Sequence, residues 1–94
     1  MDTTIPWTEK QLETIELTKL YQIEKELIYQ IQVCNTTLPI ILEKYQMFQH
    51  QSNMYMISKI EEIIKKIGDN NYQRDYNLKL IQKVINVKDE FVIG

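Results

Sequence analysis

Helix breakers are scarce in this chain. Between Trp7 and Leu38 there is neither glycine nor proline, and from Ile40 to Ile67 there is none again. Only Pro6, Pro39, Gly68 and Gly94 interrupt the 94 residues, and these two residue types are the strongest punctuation a sequence has. Long helices separated by a few breaks are the direct expectation. Cysteine is represented once, at Cys34, which excludes an internal disulfide and points to an intracellular setting. No apolar run approaches the roughly 18 residues of a membrane span, because charges recur every few positions. The start of the chain lacks a basic region followed by an apolar stretch, so a secretory signal is not expected. The Asn35-Thr36-Thr37 sequon then reads as chance. Charge of one sign is missing too: the net charge of -2 signals neither a polyanion partner nor disorder. Alanine is absent altogether, while Ile, Asn, Lys, Gln and Tyr abound; that reflects an AT-rich coding genome and says nothing about function.

What is present organises into one helical domain, residues 1–94. Thr8 and Gln11 make a Thr-x-x-Gln capping box, with Trp7 and Leu12 at the two positions of a hydrophobic staple. Glu9, Glu13 and Glu16 load the helix start with negative charge, which its dipole favours in the first turn. Helix 1 is expected over about 8–34. Asn35-Thr36-Thr37-Leu38-Pro39 reads as a reversal, since Asn closes helices, Thr opens them and Pro is tolerated in a first turn; the rival is one helix kinked at Pro39. Helix 2 is expected over about 38–67, closed by Gly68 with Lys65 and Lys66 in its last turn. Asp69-Asn70-Asn71 reads as a second turn, and helix 3 over about 72–90, with Leu78, Ile81 and Ile85 on one side and Leu80, Val84, Val87 and Phe91 on another. The fold class is all-α: an elongated antiparallel hairpin of two long helices plus a shorter third, with coiled-coil-like packing.

Two stripes at 3-4 spacing support the hairpin. One is Leu17, Leu20, Glu24, Leu27, Ile31 and Cys34. The other is Leu42, Gln46, Gln49, Asn53, Met56, Ile60, Ile63 and Ile67. A reversal near Thr36-Thr37 sets Leu27 against Gln46, Glu24 against Gln49, and Leu20 against Asn53. The polar interruptions Glu24, Gln49 and Asn53 then meet, either as a splayed and solvated zone or as a polar layer that specifies register at a cost in stability. Helices of about 28 residues would each be roughly 40 Å long, which forces an elongated shape. Ile41, Tyr45, Phe48 and Tyr55 form a further apolar stripe that a short helix 3, folded back against Ile57, Ile60, Ile64 and Ile67 near the Trp7 end, would leave open. These four residues are the expected partner-binding surface.

Sites of chemistry are not legible. His50 is the only histidine, and no metal-ligand spacing accompanies it. A Cys34–His50 dyad fails on distance, whether the chain reverses or continues as one helix. There is no glycine-rich phosphate loop and no triad set, so no catalytic, cofactor or metal residue is assigned and an enzyme is not expected. Lysines toward the C-terminal part are interspersed with Glu61, Glu62, Asp69 and Asp75, the pattern of a solvated face more than of a nucleic-acid footprint. The functional expectation is a non-catalytic protein–protein interaction module. It would bind partner helices or its own copies, as a subunit of a multiprotein assembly or as a small inhibitory protein, such as a viral one. No membrane or small-molecule substrate is implied. The alternative of a different class is a DNA-binding regulator using a helix-turn-helix around Gly68.

Overall fold

The computed structural model describes residues 1–93, with side chains placed through Glu90. Gly94 and the side chain of Phe91, assigned above to a face of helix 3, lie outside the described residues. Three helices follow in order: α1, Glu9–Glu13; α2, Leu17–His50; and α3, Met54–Ile93. The fold is all-α. The long helices α2 and α3 pack as an antiparallel hairpin 62 × 20 × 15 Å in extent, with a radius of gyration of 17.8 Å. The short helix comes first in the chain, not last.

The helix boundaries differ from the expected ones at four places. The break expected at Asn35–Pro39 is not made: α2 runs through it with Pro39 inside. The Thr36 and Thr37 hydroxyls donate back to the carbonyls of Gln32 and Val33 within the helix rather than capping a new one. The turn expected at Gly68–Asn71 is not made either, because α3 continues through it and Gly68 keeps an ordinary negative φ. Helix 1 is split at Thr14-Ile15-Glu16, where the Thr14 hydroxyl takes the carbonyl of Gln11 and the chain turns so that Trp7 and Leu12 reach the core. The reversal of the hairpin is Gln51-Ser52-Asn53. Ser52 has φ 52, and the Asn53 side chain caps α3 by accepting the backbone N–H of Met56.

The reason both helices continue is a seam that the breakers do not interrupt. On α2 the 3-4 stripe from Leu17 to Cys34 carries on in phase through Leu38, Ile41, Tyr45 and Phe48. On α3 the matching stripe is Ile57, Ile60, Ile64, Ile67, Asn71, Arg74, Leu78, Ile81, Ile85 and Lys88, each of them at least half-buried. Proline in a helix interior costs about 3 kcal/mol and glycine about 1 kcal/mol. Carrying the helices through keeps Leu38, Ile41, Ile64 and Ile67 in the seam, and four half-buried aliphatic side chains at roughly 1 kcal/mol each offset that. Breaking there would also add turn residues to be ordered.

The core is concentrated at one end. Trp7, Leu12, Leu20, Leu27, Ile81, Val84 and Ile85 form one buried cluster, with Ile15, Leu17, Ile23, Leu78 and Leu80 packed around it. The stretch from Leu78 to Val84 does lie by Trp7, but as the far end of α3; it does not fold back on Ile57, Ile60, Ile64 and Ile67 as expected, because these belong to the same continuous helix. Toward the reversal, Ile60 is the one other buried hydrophobic residue among those described.

Candidate interaction surface

Residues 1–16 form a strap over one flank of the hairpin, between α2 and α3. Asn77 holds it. This side chain is fully buried. Its Nδ2 donates to the carbonyls of Thr3 at 3.1 Å and Ile5 at 2.8 Å. Its Oδ1 accepts the backbone N–H of Trp7 at 3.0 Å and the Gln73 amide at 3.3 Å. Two donors and two acceptor sites are thus all used, which is what a buried amide requires. Further along, Glu9 Oε1 bridges Lys83 Nζ at 2.7 Å, Leu12 is buried, and the Lys88 ammonium donates to the Ile15 carbonyl. The Glu9 carboxylate raises the Lys83 pKa above its ordinary value. At the outer end the Thr4 hydroxyl and N–H both donate to Asp2, holding that carboxyl below the usual Asp range.

The strap ends at mid-hairpin, in a polar layer different from the expected one. Thr3 Oγ1 donates to Gln30 at 2.7 Å and accepts from Arg74 Nε at 3.2 Å. Arg74 Nη1 also reaches Cys34 Sγ at 3.3 Å, and one turn on Asn71 Nδ2 donates to Asn35 at 3.3 Å. The Asn71 Oδ1 is buried and takes no hydrogen bond from the described residues. The expected layer of Glu24, Gln49 and Asn53 is dispersed. Glu24 is half-buried in the seam, Gln49 is exposed near the tip, and Asn53 caps α3. They share no level because the chain reverses at Ser52, not at Thr36. The in-phase continuation of the stripe past Cys34 was the signal for this.

The expected partner-binding residues divide in the same way. Ile41, Tyr45 and Phe48 are half-buried in the seam against α3, and Tyr45 Oη donates to Glu61 at 2.9 Å, which raises the tyrosine pKa. Only Tyr55 is open, 70% exposed, with the Lys59 ammonium 5.7 Å from its ring centre. The exposed apolar residues lie elsewhere. Toward the reversal these are Val33, Ile40, Leu42 and Met47 on α2 and Met54 and Ile63 on α3. Tyr29, Val33 and Gln30 line a surface hollow with Cys34 and Arg74 where the strap stops.

Among the described residues no cluster of His, Cys, Asp and Glu has the makings of a metal site, and no helix is long and apolar enough to cross a membrane. Cys34 and His50 sit on one helix, roughly 24 Å apart by helix rise. Compared with known protein families, curated proteins and solved structures, the chain matches none.

Proposed function

We propose that this chain is a non-catalytic protein–protein interaction module, working inside the cell as a subunit of an assembly or as a small inhibitory binder. The observation that supports it is the unequal covering of the hairpin. The strap and its Trp7–Leu12 core cover the half of the hairpin far from the reversal, while nearer the reversal Val33, Ile40, Leu42, Met47 and Ile63 are exposed. Apolar helix faces left open in this way are association surfaces. The competing DNA-reader proposal needed a turn at Gly68, and α3 is continuous there. The test is the mass of the chain in solution, alone and in complexes isolated from its source, by sedimentation and light scattering. A module of this kind self-associates or co-sediments with a protein in stoichiometric amount; a lone monomer in both settings refutes the proposal.

A further inference from the structure

We infer that the strap exchanges between two copies of this chain, so that residues 1–16 of one copy fill the flank of the other in a domain-swapped dimer joined end to end. The inference rests on the interaction-module reading and names one partner, a second copy. The hinge, the direction of the strap and the flank it leaves carry it together.

The hinge is Thr14-Ile15-Glu16, the link between α1 and α2. It holds neither glycine nor proline, so no residue in it bars a helix. Thr14 is already in the helical region, with φ -81 and ψ -9. Glu16 departs from that region in ψ alone, with φ -60 and ψ 145, and its side chain makes no capping bond among the described residues. The first N–H groups of α2 therefore lack a helix-internal partner. Turning the hinge helical joins α1 and α2 into one helix from Glu9 to His50. The N–H groups of Glu16, Leu17, Thr18 and Lys19 then reach the carbonyls of Leu12, Glu13, Thr14 and Ile15. Straightening gives up the Lys88 bond to the Ile15 carbonyl. The Thr8–Gln11 capping box lies wholly within the strap and is kept.

The direction makes a second copy the receiver. Contacts climb in step along strap and helix: Thr3 with Arg74, Ile5 and Trp7 with Asn77, Glu9 with Lys83, Ile15 with Lys88. The closed strap thus runs from the hinge, at the end of the hairpin, inward to its middle. A straightened strap leaves through that same end, along α2. A copy set end to end about a two-fold axis receives it from its own end inward, in the sense in which its own strap lies. Both flanks fill at once, as an isologous pair requires.

The emptied flank asks for this segment. Trp7 and Leu12 belong to the buried core with Leu20, Ile81 and Val84. The Asn77 amide is matched to the backbone of Thr3, Ile5 and Trp7, and Lys83 to Glu9. An opened strap and an uncovered flank are each apolar and each complementary to the other, so exchange restores every contact outside the hinge.

A seated strap competes at roughly millimolar effective concentration, so the full chain is studied from about 10 μM to about 2 mM by size exclusion and small-angle scattering. A slowly exchanging dimer is expected, elongated along the 62 Å axis of one hairpin. Glu16→Pro suits the closed φ of -60 and forbids the continuous helix, so it should cut the dimer fraction about tenfold or more with melting unchanged. Glu9→Lys and Lys83→Glu each set like charges together at the strap edge. Refolded as a mixture, the two variants recover opposite charges at both sites only where straps have exchanged. Heterodimers should then outnumber homodimers by about three to one or more in native mass spectrometry, against equal numbers by chance. Equal numbers show that copies touch without exchange and overturn the inference, whatever Glu16→Pro does, while the module reading stands. If Glu16→Pro unfolds the chain, the heterodimer ratio alone decides. A monomer at every concentration also overturns the exchange; the module reading survives that result only if the chain co-sediments with another protein from its source.

Discussion

The backbone N–H of Trp7 donates to the Asn77 side chain at 3.0 Å, across 70 residues of sequence. One buried amide therefore ties the first residues of the chain to the far half of α3, and the Trp7 and Leu12 side chains fill the core beside it. Replacing Asn77 by Leu keeps the volume and strands the Trp7 N–H and the Thr3 and Ile5 carbonyls. The expected loss is about 2–3 kcal/mol, measured by urea unfolding, with Trp7 emission shifted to the red as the strap frees itself.

The helix breakers give a sharper discrimination. Gly68 is helical, and a Cβ added there meets nothing within 4 Å. Gly68→Ala should stabilise the chain by about 0.5–1 kcal/mol, and Pro39→Ala by about 2 kcal/mol, by restoring an N–H to the Asn35 carbonyl. In a chain that turned at these residues both changes would be harmful. Thermal melts followed at 222 nm decide between them, and a fall in midpoint for Gly68→Ala would refute the continuous α3.

Ile60 and Ile63 are neighbours in sequence with opposite surroundings, 6% and 48% exposed. Truncating Ile60 to Ala should cost about 2–4 kcal/mol, whereas Ile63→Ala should change stability by no more than about 0.5–1 kcal/mol. Phe48→Asp should destabilise the isolated chain, since Phe48 lies in the intramolecular seam. Equal and small effects at Ile60 and Ile63 would show that α2 and α3 are not paired in this register.

Acid should loosen the outer end of the strap before the rest. The Asp2 carboxylate is held below its ordinary pKa by the Thr4 hydrogen bonds. A group depressed in the folded state stabilises it above the unfolded pKa, near 4, and that contribution fades as pH falls through the lowered value. The protection of the Thr4 amide against exchange, relative to the intrinsic rate at each pH, should fall below about pH 4 while protection in the core of α3 is kept. Asp2→Asn should abolish the difference.

The elements legible in the sequence were those written in local chemistry. The Thr8–Gln11 capping box is formed as expected, Trp7 and Leu12 are both buried, and the stripe from Leu17 to Cys34 is the α2 half of the seam. Pro39 and Gly68 lie inside helices because the seam on either side of each offsets its local cost. The true reversal carries neither residue type. Its mark is subtler: the 3-4 phase that runs unbroken to Phe48 restarts at Ile57, with Ser52 in the left-handed region and Asn53 as a cap between. Asn77 could not be found from its neighbours in sequence, because its hydrogen bonds to the strap reach Thr3, Ile5 and Trp7.

That long reach orders the assembly of the molecule in time. The hairpin can close from Ser52 outward, each step joining residues only slightly farther apart than the last, so its loop entropy is met in small increments. The strap cannot begin until Asn77, Val84 and the start of α2 are already side by side. We expect helix formation to precede the burial of Trp7 on refolding, with far-UV ellipticity leading tryptophan emission in stopped flow. In the native state the strap should open before the hairpin does, as the least costly of its local unfolding events.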